Sequence, residues 1–286
     1  MANLRTRERL TALSKLISQR KDLKKTLELH MKILQLQQEA EQANTKKERG
    51  MCDLSTLARL QEESLKTKTS INHLVDPAAF DYDVLLPLAK NIAKAFAEKD
   101  IDRQGFKNLI NQIEKGQANL PELVEATLSG DEDLLRKRAE ELNIQPVHFL
   151  YALASLVQPC FEEITRKIDA SFLDMWWQTS CPVCGRNPIV ARFRNRKRYL
   201  TCTFCGAEYL SDQFVCVHCG NKDPNSLKYM ATQKQPAFEL NFCKKCKHYI
   251  KVIHEARLKE PIPKGLEDAA TLDLDLAAKK AGLSRD

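Results

Sequence analysis

The hydrophobic rhythm of the chain changes once, near residue 175. Before that point apolar residues recur at three- and four-residue steps, the period of helices with one buried face. Over 4–43, Leu10, Leu13, Leu16, Ile17, Leu23, Leu27, Met31, Leu34 and Leu36 stand among charged residues. That spacing predicts one or two long helices, whose stripe packs on neighbouring helices or meets a partner or a second copy. The polar stretch 44–50 predicts a break. A shorter helix is expected over 53–69, with Asp53 or Ser55 as its N-cap. Residues 73–77 form a connector, since Pro77 disfavours helix at Asp76. Helix 82–98 turns Leu85, Leu86, Leu88, Ile92 and Phe96 inward and tolerates Pro87 near its start.

Punctuation sets the next helices. One over 103–115 stops at Gly116, one begins around Pro121 and ends near Gly130, and Asp131 caps one over 132–142. The most apolar segment, 147–173, carries Phe149, Leu150, Leu153, Leu156, Val157, Phe161, Ile164 and Ile168 inward, with a kink predicted at Pro159. It is the expected centre of the helical part. Cys52 and Cys160 lie in helical stretches and read as small buried hydrophobes.

Beyond Cys181 the helical period is gone. Short β-rich runs (189–193, 198–201, 208–210, 214–216, 227–230 and 250–254) alternate with turns, and a short helix over about 268–281 follows Pro261 and Pro263 and closes at Gly282. The predicted class is α+β: an all-α N-terminal domain (1–175), a β-rich double rubredoxin-like or zinc-ribbon domain (176–260), and a tail with a short helix (261–286).

Four Cys-x-x-Cys pairs punctuate the β-rich part: Cys181/Cys184, Cys202/Cys205, Cys216/Cys219 and Cys243/Cys246. Two residues between cysteines let a tight turn aim both sulfurs at one ion, and two turns complete a four-sulfur shell. Glycine follows three of the turns (Gly185, Gly206, Gly220) and supplies a left-handed backbone; Lys247 follows the fourth. Sequential pairing spans 17 and 23 intervening residues. Crossed pairing, first with third and second with fourth, also fills both shells. Four thiolates suit zinc or a single iron, and a closed shell leaves no position for Lewis-acid chemistry. With all eight cysteines used, His218, His248 and His254 take surface or supporting roles.

Charge changes the picture modestly. Of the net +7, the part from Cys181 onward carries 19 Lys and Arg against 11 Asp and Glu. Two tetrathiolate centres of charge −2 would halve that excess to about +4. Arg192, Arg194, Arg196, Lys197 and Arg198 form a basic run that reads as a solvated hairpin or as a patch for acidic partners or nucleic acid. No aromatic ladder accompanies it, so nucleic acid is not the expected partner. Trp176 and Trp177 either cover the seam between the two parts or form a partner hot spot. No apolar run approaches the roughly 18 residues of a membrane span. The N-terminal stretch has no apolar signal core, so export is not expected. No nucleotide loop, zinc-protease motif or nucleophile elbow is present, and no catalytic residue is assigned.

The order CPVCGRNPIV, RYLTCTFCGAEY, VCVHCGN, LKYM and FCKKCKHYIKVI resembles the formate dehydrogenase accessory protein family, FdhE. The tail PKGLEDAATLDLDLAAKKAGL is similar to the family's closing segment. ALASLVQPCFEEITRKI, ahead of the tryptophans, fits its last long helix. The resemblance is specific over about 146–282. It implies a non-enzymatic cytoplasmic maturation factor. Such a factor binds the catalytic subunit of an exported molybdenum or tungsten formate dehydrogenase, with the cysteine turns as iron-type sites that contact the client. The rival readings are a nucleic-acid-binding zinc ribbon and a rubredoxin-like electron carrier.

Overall fold

The computed structural model describes residues 4–44, 50–231 and 236–285. Most of the predicted 44–50 break lies outside the described residues. The chain divides into two compact units, residues up to 60 with 72–164, and residues 61–71 with 165–286.

The first unit is helical. Its elements are α1 (Leu4–Gln19), α2 (Lys24–Asn44), the start of α3 (Leu57–Thr67), α4 (Tyr82–Glu98), α5 (Arg103–Glu114), α6 (Leu120–Ser129), α7 (Glu132–Leu142) and most of α8 (Pro146–Lys167). Helix α2 packs on α1 and α4, and α4 also packs on α5 and α6. Phe96, Phe106, Phe149, Leu85 and Ile164 are fully buried. Polar contacts tie α1 and α2 to α8, among them Arg9 to Glu162 at 2.7 Å, His30 Nδ1 to Tyr151 Oη at 2.7 Å, and Gln37 Nε2 to the Ser155 carbonyl at 2.6 Å. Cys52 and Cys160 are buried here, as expected, although Cys52 sits in a β-bridge with Phe80 and not in a helix.

The caps follow the sequence signals closely. Asn119 and Asp131 accept from the N–H of Glu122 and Leu134, and Gly130 ends α6 in the left-handed region. Other expectations need correction. Helix α3 starts at Leu57, because Asp53 Oδ1 accepts from Ser55 N–H in a local turn and caps no helix. Leu86 and Leu150 are 38% and 37% exposed. Neighbouring helical residues point about 100° apart, so Leu85 and Phe149 take the inward direction from them. Helix α8 ends at Lys167, short of Ile168, and α9 (Ala170–Met175) follows. Gln61 stabilises that break by accepting from Asp169 N–H (2.8 Å) and donating to its carboxylate (3.3 Å).

The second unit is built on one six-stranded sheet: β1 (Val190–Arg194), β2 (Lys197–Thr201), β3 (Glu208–Ser211), β4 (Leu227–Ala231), β5 (Phe238–Cys243) and β6 (Tyr249–His254). The strand order is β3-β2-β1-β6-β5-β4, antiparallel throughout except for the parallel β1·β6 pair. The chain therefore repeats one motif, turn–strand–strand–turn–strand, and the two copies share a single sheet. The β1–β2 hairpin turns on Asn195 and Arg196, both with positive φ (50° and 60°), a type I′ geometry that matches strand twist.

Two strand expectations fail. Residues 214–216 form no strand, because Asp212 accepts from Phe214 N–H and Cys216 opens the third metal turn. Strand β5 is added; its alternation Phe238, Leu240, Phe242 was the available signal. After β6 come α10 (Glu267–Ala270) and α11 (Leu272–Lys280), split at Thr271. Leu274 and Ala278 of this segment pack on Leu240 and Tyr249, covering one face of β5 and β6.

Candidate metal centres

All four cysteine turns share one backbone design. The N–H four residues on donates to the first cysteine's carbonyl: Gly185 to Cys181, Gly206 to Cys202, Gly220 to Cys216 and Lys247 to Cys243, at 2.8–3.0 Å. A second bond closes each loop, from the first cysteine's N–H to the carbonyls of Arg186, Ala207, Asn221 and His248 respectively. The three glycines have φ of 69–77°, and Lys247 adopts 64° without being glycine. The local turn therefore rests on the hydrogen-bond pair, and glycine only relieves its strain.

Strand pairing brings the turns together in sequential pairs. Cys181, Cys184, Cys202 and Cys205 form one cluster; Cys216, Cys219, Cys243 and Cys246 form the other; within each cluster the sulfurs lie within 4.8 Å of one another. The crossed arrangement is ruled out by the β1–β2 and β4–β5 hairpins, each of which carries its two turns to the same end. In the first cluster Cys181–Cys205 and Cys184–Cys202 are 3.5 and 3.4 Å apart. In the second Cys216–Cys246 and Cys219–Cys243 are 3.7 and 3.9 Å apart. A tetrahedron with metal–sulfur bonds of about 2.3 Å has sulfur–sulfur edges of about 3.8 Å. The donor set and its spacing fit a metal ion.

The electrostatics point the same way. Burial pushes the thiols of Cys181 and Cys205 well up, while side-chain hydrogen bonds from the other three cysteines hold Cys202 well below the usual thiol range. In the second cluster burial opposes ionisation of Cys243, yet the N–H groups of Cys246 and Lys245 bring it down to about 7. Four thiols held this close resist ionising together, and a dication removes that conflict. Asn221 Nδ2 also reaches the Cys243 sulfur at 3.6 Å. No histidine joins either cluster: His218 Nε2 faces the Tyr249 carbonyl, His248 Nδ1 the Cys246 carbonyl, and His254 Nε2 the Glu239 carboxylate.

The basic run is neither a solvated hairpin nor a continuous patch. Arg192 is 5% exposed and reaches Glu267 (2.6 Å), Glu255 (3.2 Å) and Glu208 (3.4 Å). Arg194 bonds Glu208 and stacks over Tyr199. Arg198, 4% exposed, donates to Ser211 Oγ and to the carbonyls of Asp212 and Val215, and so anchors the approach to Cys216; burial lowers it to about 10. Arg196 and Lys197 are exposed at the hairpin tip. A second ionic cluster was not read from the sequence. Lys251 is fully buried in β6 and donates to Asp268 and Asp275 (2.8 Å), with Arg285 also on Asp268. A lysine inside the apolar run YIKVIH was its only signal. The two tryptophans part company: Trp176 is 2% exposed and donates to the Ser180 carbonyl, and Trp177 is 65% exposed.

Comparison with known proteins follows this geometry. Residues 214–286 match the family model "FdhE, C-terminal domain". A protein FdhE homolog of Aquifex aeolicus (strain VF5) is 33% identical over 137 residues, 46% of this chain and 48% of that protein. One of Stutzerimonas stutzeri (strain A1501) is 32% identical over 117 residues, 38% of this chain and 36% of that protein. The matched stretches thus span half or less of those relatives. The crystal structure of the FdhE protein from Pseudomonas aeruginosa shares the fold, with a TM-score of 0.64 at 17% identity over 99% of this chain and 95% of that one. Among the described residues, no helix is long and apolar enough to cross a membrane.

Proposed function

We infer that this chain, whose residues 214–286 match the FdhE C-terminal domain, is a member of that family and a cytoplasmic formate dehydrogenase accessory protein that binds the enzyme's catalytic subunit before export. It works by contact and not by catalysis. The observation that carries this reading is the assembly of eight cysteines into two closed four-sulfur shells on one sheet. A closed shell offers no open coordination position, so its chemistry there is structural.

Each proposed ligand has a defined task. Cys181, Cys184, Cys202 and Cys205 would hold one zinc or iron ion, and Cys216, Cys219, Cys243 and Cys246 the other. A bound ion offsets the mutual repulsion of the thiolates and fixes loops that the sheet alone leaves loose. The turn N–H groups hold each first cysteine in place. Arg192 and Lys251 pin the tail (261–286) to the sheet through Glu267, Asp268 and Asp275. The segment 176–260 then presents rigid turns to the client. With Arg192 and Arg194 neutralised within ion pairs and Arg198 buried on neutral acceptors, the basic run leaves little field for nucleic acid.

Anaerobic pull-down with the tagged chain tests this. The catalytic subunit should co-purify, and serine at Cys181 and Cys216 together should abolish the association. Lack of association, combined with normal formate dehydrogenase activity in a deletion strain, rejects the reading.

A further inference from the structure

We propose that the two centres are unequal: the first holds its metal for the life of the fold, and the second exchanges metal with small soft-donor ligands such as thiols. This rests on the reading that both shells bind metal.

Burial separates the centres. All four sulfur-bearing residues of the first are buried, with Cys181 at 0% and Cys205 at 1% exposure. In the second, Cys219 is exposed and Cys246 half-buried. Thiolate reactivity follows access, so an incoming donor meets Cys219 and Cys246 first.

Turn geometry separates them again. Both turns of the first centre have glycine in the left-handed position (Gly185 and Gly206). The second centre's fourth turn holds Lys247 there at φ 64°. A side chain in that region strains the turn that carries Cys243 and Cys246.

A route of entry completes the contrast. A solvent-open cleft of about 310 Å³ runs along the Cys216 and Cys243 side of the second centre, with His218 and His248 in its lining, while Cys219 lies outside that lining and meets solvent directly. Phe214 and Tyr229, 69% and 72% exposed, stand at its walls. Around the first centre the chain is closed instead: Val183 inside its first turn, Leu200 two residues before Cys202, and Tyr209 are all buried. In the exchange step a soft donor displaces the Cys219 sulfur, which leaves as thiolate and takes a proton from solvent. No oxidation state changes.

The placement of tryptophan makes the asymmetry readable. Trp176 and Trp177 both lie within five residues of Cys181, and none lies near the second centre's turns. The full chain, loaded with zinc and its metal counted, is challenged with the chromogenic chelator 4-(2-pyridylazo)resorcinol. One equivalent should leave at least about tenfold faster than the other, as access to sulfur predicts. Tryptophan emission should hold through that first phase and shift in the second. A maleimide pulse with peptide mapping should label Cys219 and Cys246 first. Cys219→Ser should abolish the fast phase and keep the slow one; should that variant misfold, the wild-type mapping still decides. A single release phase, first labelling at Cys181–Cys205, or an emission shift with the first equivalent overturns the proposal alone. Zero metal after loading overturns the metal reading itself, and the proposal with it.

Discussion

The helical unit and the sheet unit are held together by different physics. The first buries aromatic and aliphatic faces at helical spacing, with Phe96, Phe106 and Phe149 fully enclosed. The second has short strands, two four-sulfur clusters and charges inside it: Arg192, Lys251 and Glu267 are 5%, 0% and 0% exposed. Its stability depends on coordination and charge matching as much as on apolar area. Apolar burial is tolerant and additive in small steps, whereas coordination and buried ion pairs fail when one member is missing.

Metal removal probes this difference hardest. Structural zinc contributes on the order of 10–16 kcal/mol per site in small domains. Chelation should therefore unfold residues 165–286 while the helical signal in circular dichroism persists. Loss of both together would break the comparison. Next, Phe96→Ala deletes a ring stacked 4.4 Å from Phe106 and should cost the helical unit about 3–5 kcal/mol in urea unfolding. Glu267→Gln should cost the metal-loaded sheet unit about 3 kcal/mol, because buried Arg192 loses its nearest counter-charge. A null result there would mean that Glu208 and Glu255 compensate fully.

A pH scan separates the units more gently. Burial, with the Arg9 charge, lowers His30 from an ordinary 6.5 to about 4. Between those values the unfolded chain binds a proton that the folded helical unit refuses. Stability is thus full above about pH 6.5 and falls as pH drops toward 4, by on the order of 1–2 kcal/mol between pH 7 and 5. His30→Gln should flatten that slope in the helical unit's thermal midpoint. The smallest effect expected is at a cap: Asp131→Ala should cost about 1 kcal/mol, seen as a small drop in the same midpoint.

The two kinds of cohesion were not equally legible. Helices 82–98 and 132–142 match α4 and α7 in full, since the apolar period agrees with an N-cap at Asp81 and at Asp131, and Asn143 ends α7 in the left-handed region. The eight cysteines were legible as two shells because local spacing alone prepares each turn. Their pairing was not, because it is fixed by hairpin partners that only the fold selects. Arg192 and Arg194 were misread for the same reason. A run of like charge looks solvated until Glu208, Glu255 and Glu267 arrive from distant segments. Strand β5 has the right alternation, but it lies between Pro236 and the turn that opens at Cys243, and both are turn signals.

The seam between the two sheet halves has a further implication. The first strand of one repeat, β1, lies parallel to the last strand of the other, β6. The outer edges, β4 and β3, are again a first strand and a last strand, so the same lateral rule could join one molecule to the next without end. Such an open-ended ribbon is the hazard that comes with fusing two copies side by side instead of about a dyad. Helix α9 packs on β3, and β3 is only four residues long; a short edge strand with a helix against it is a poor template for that extension.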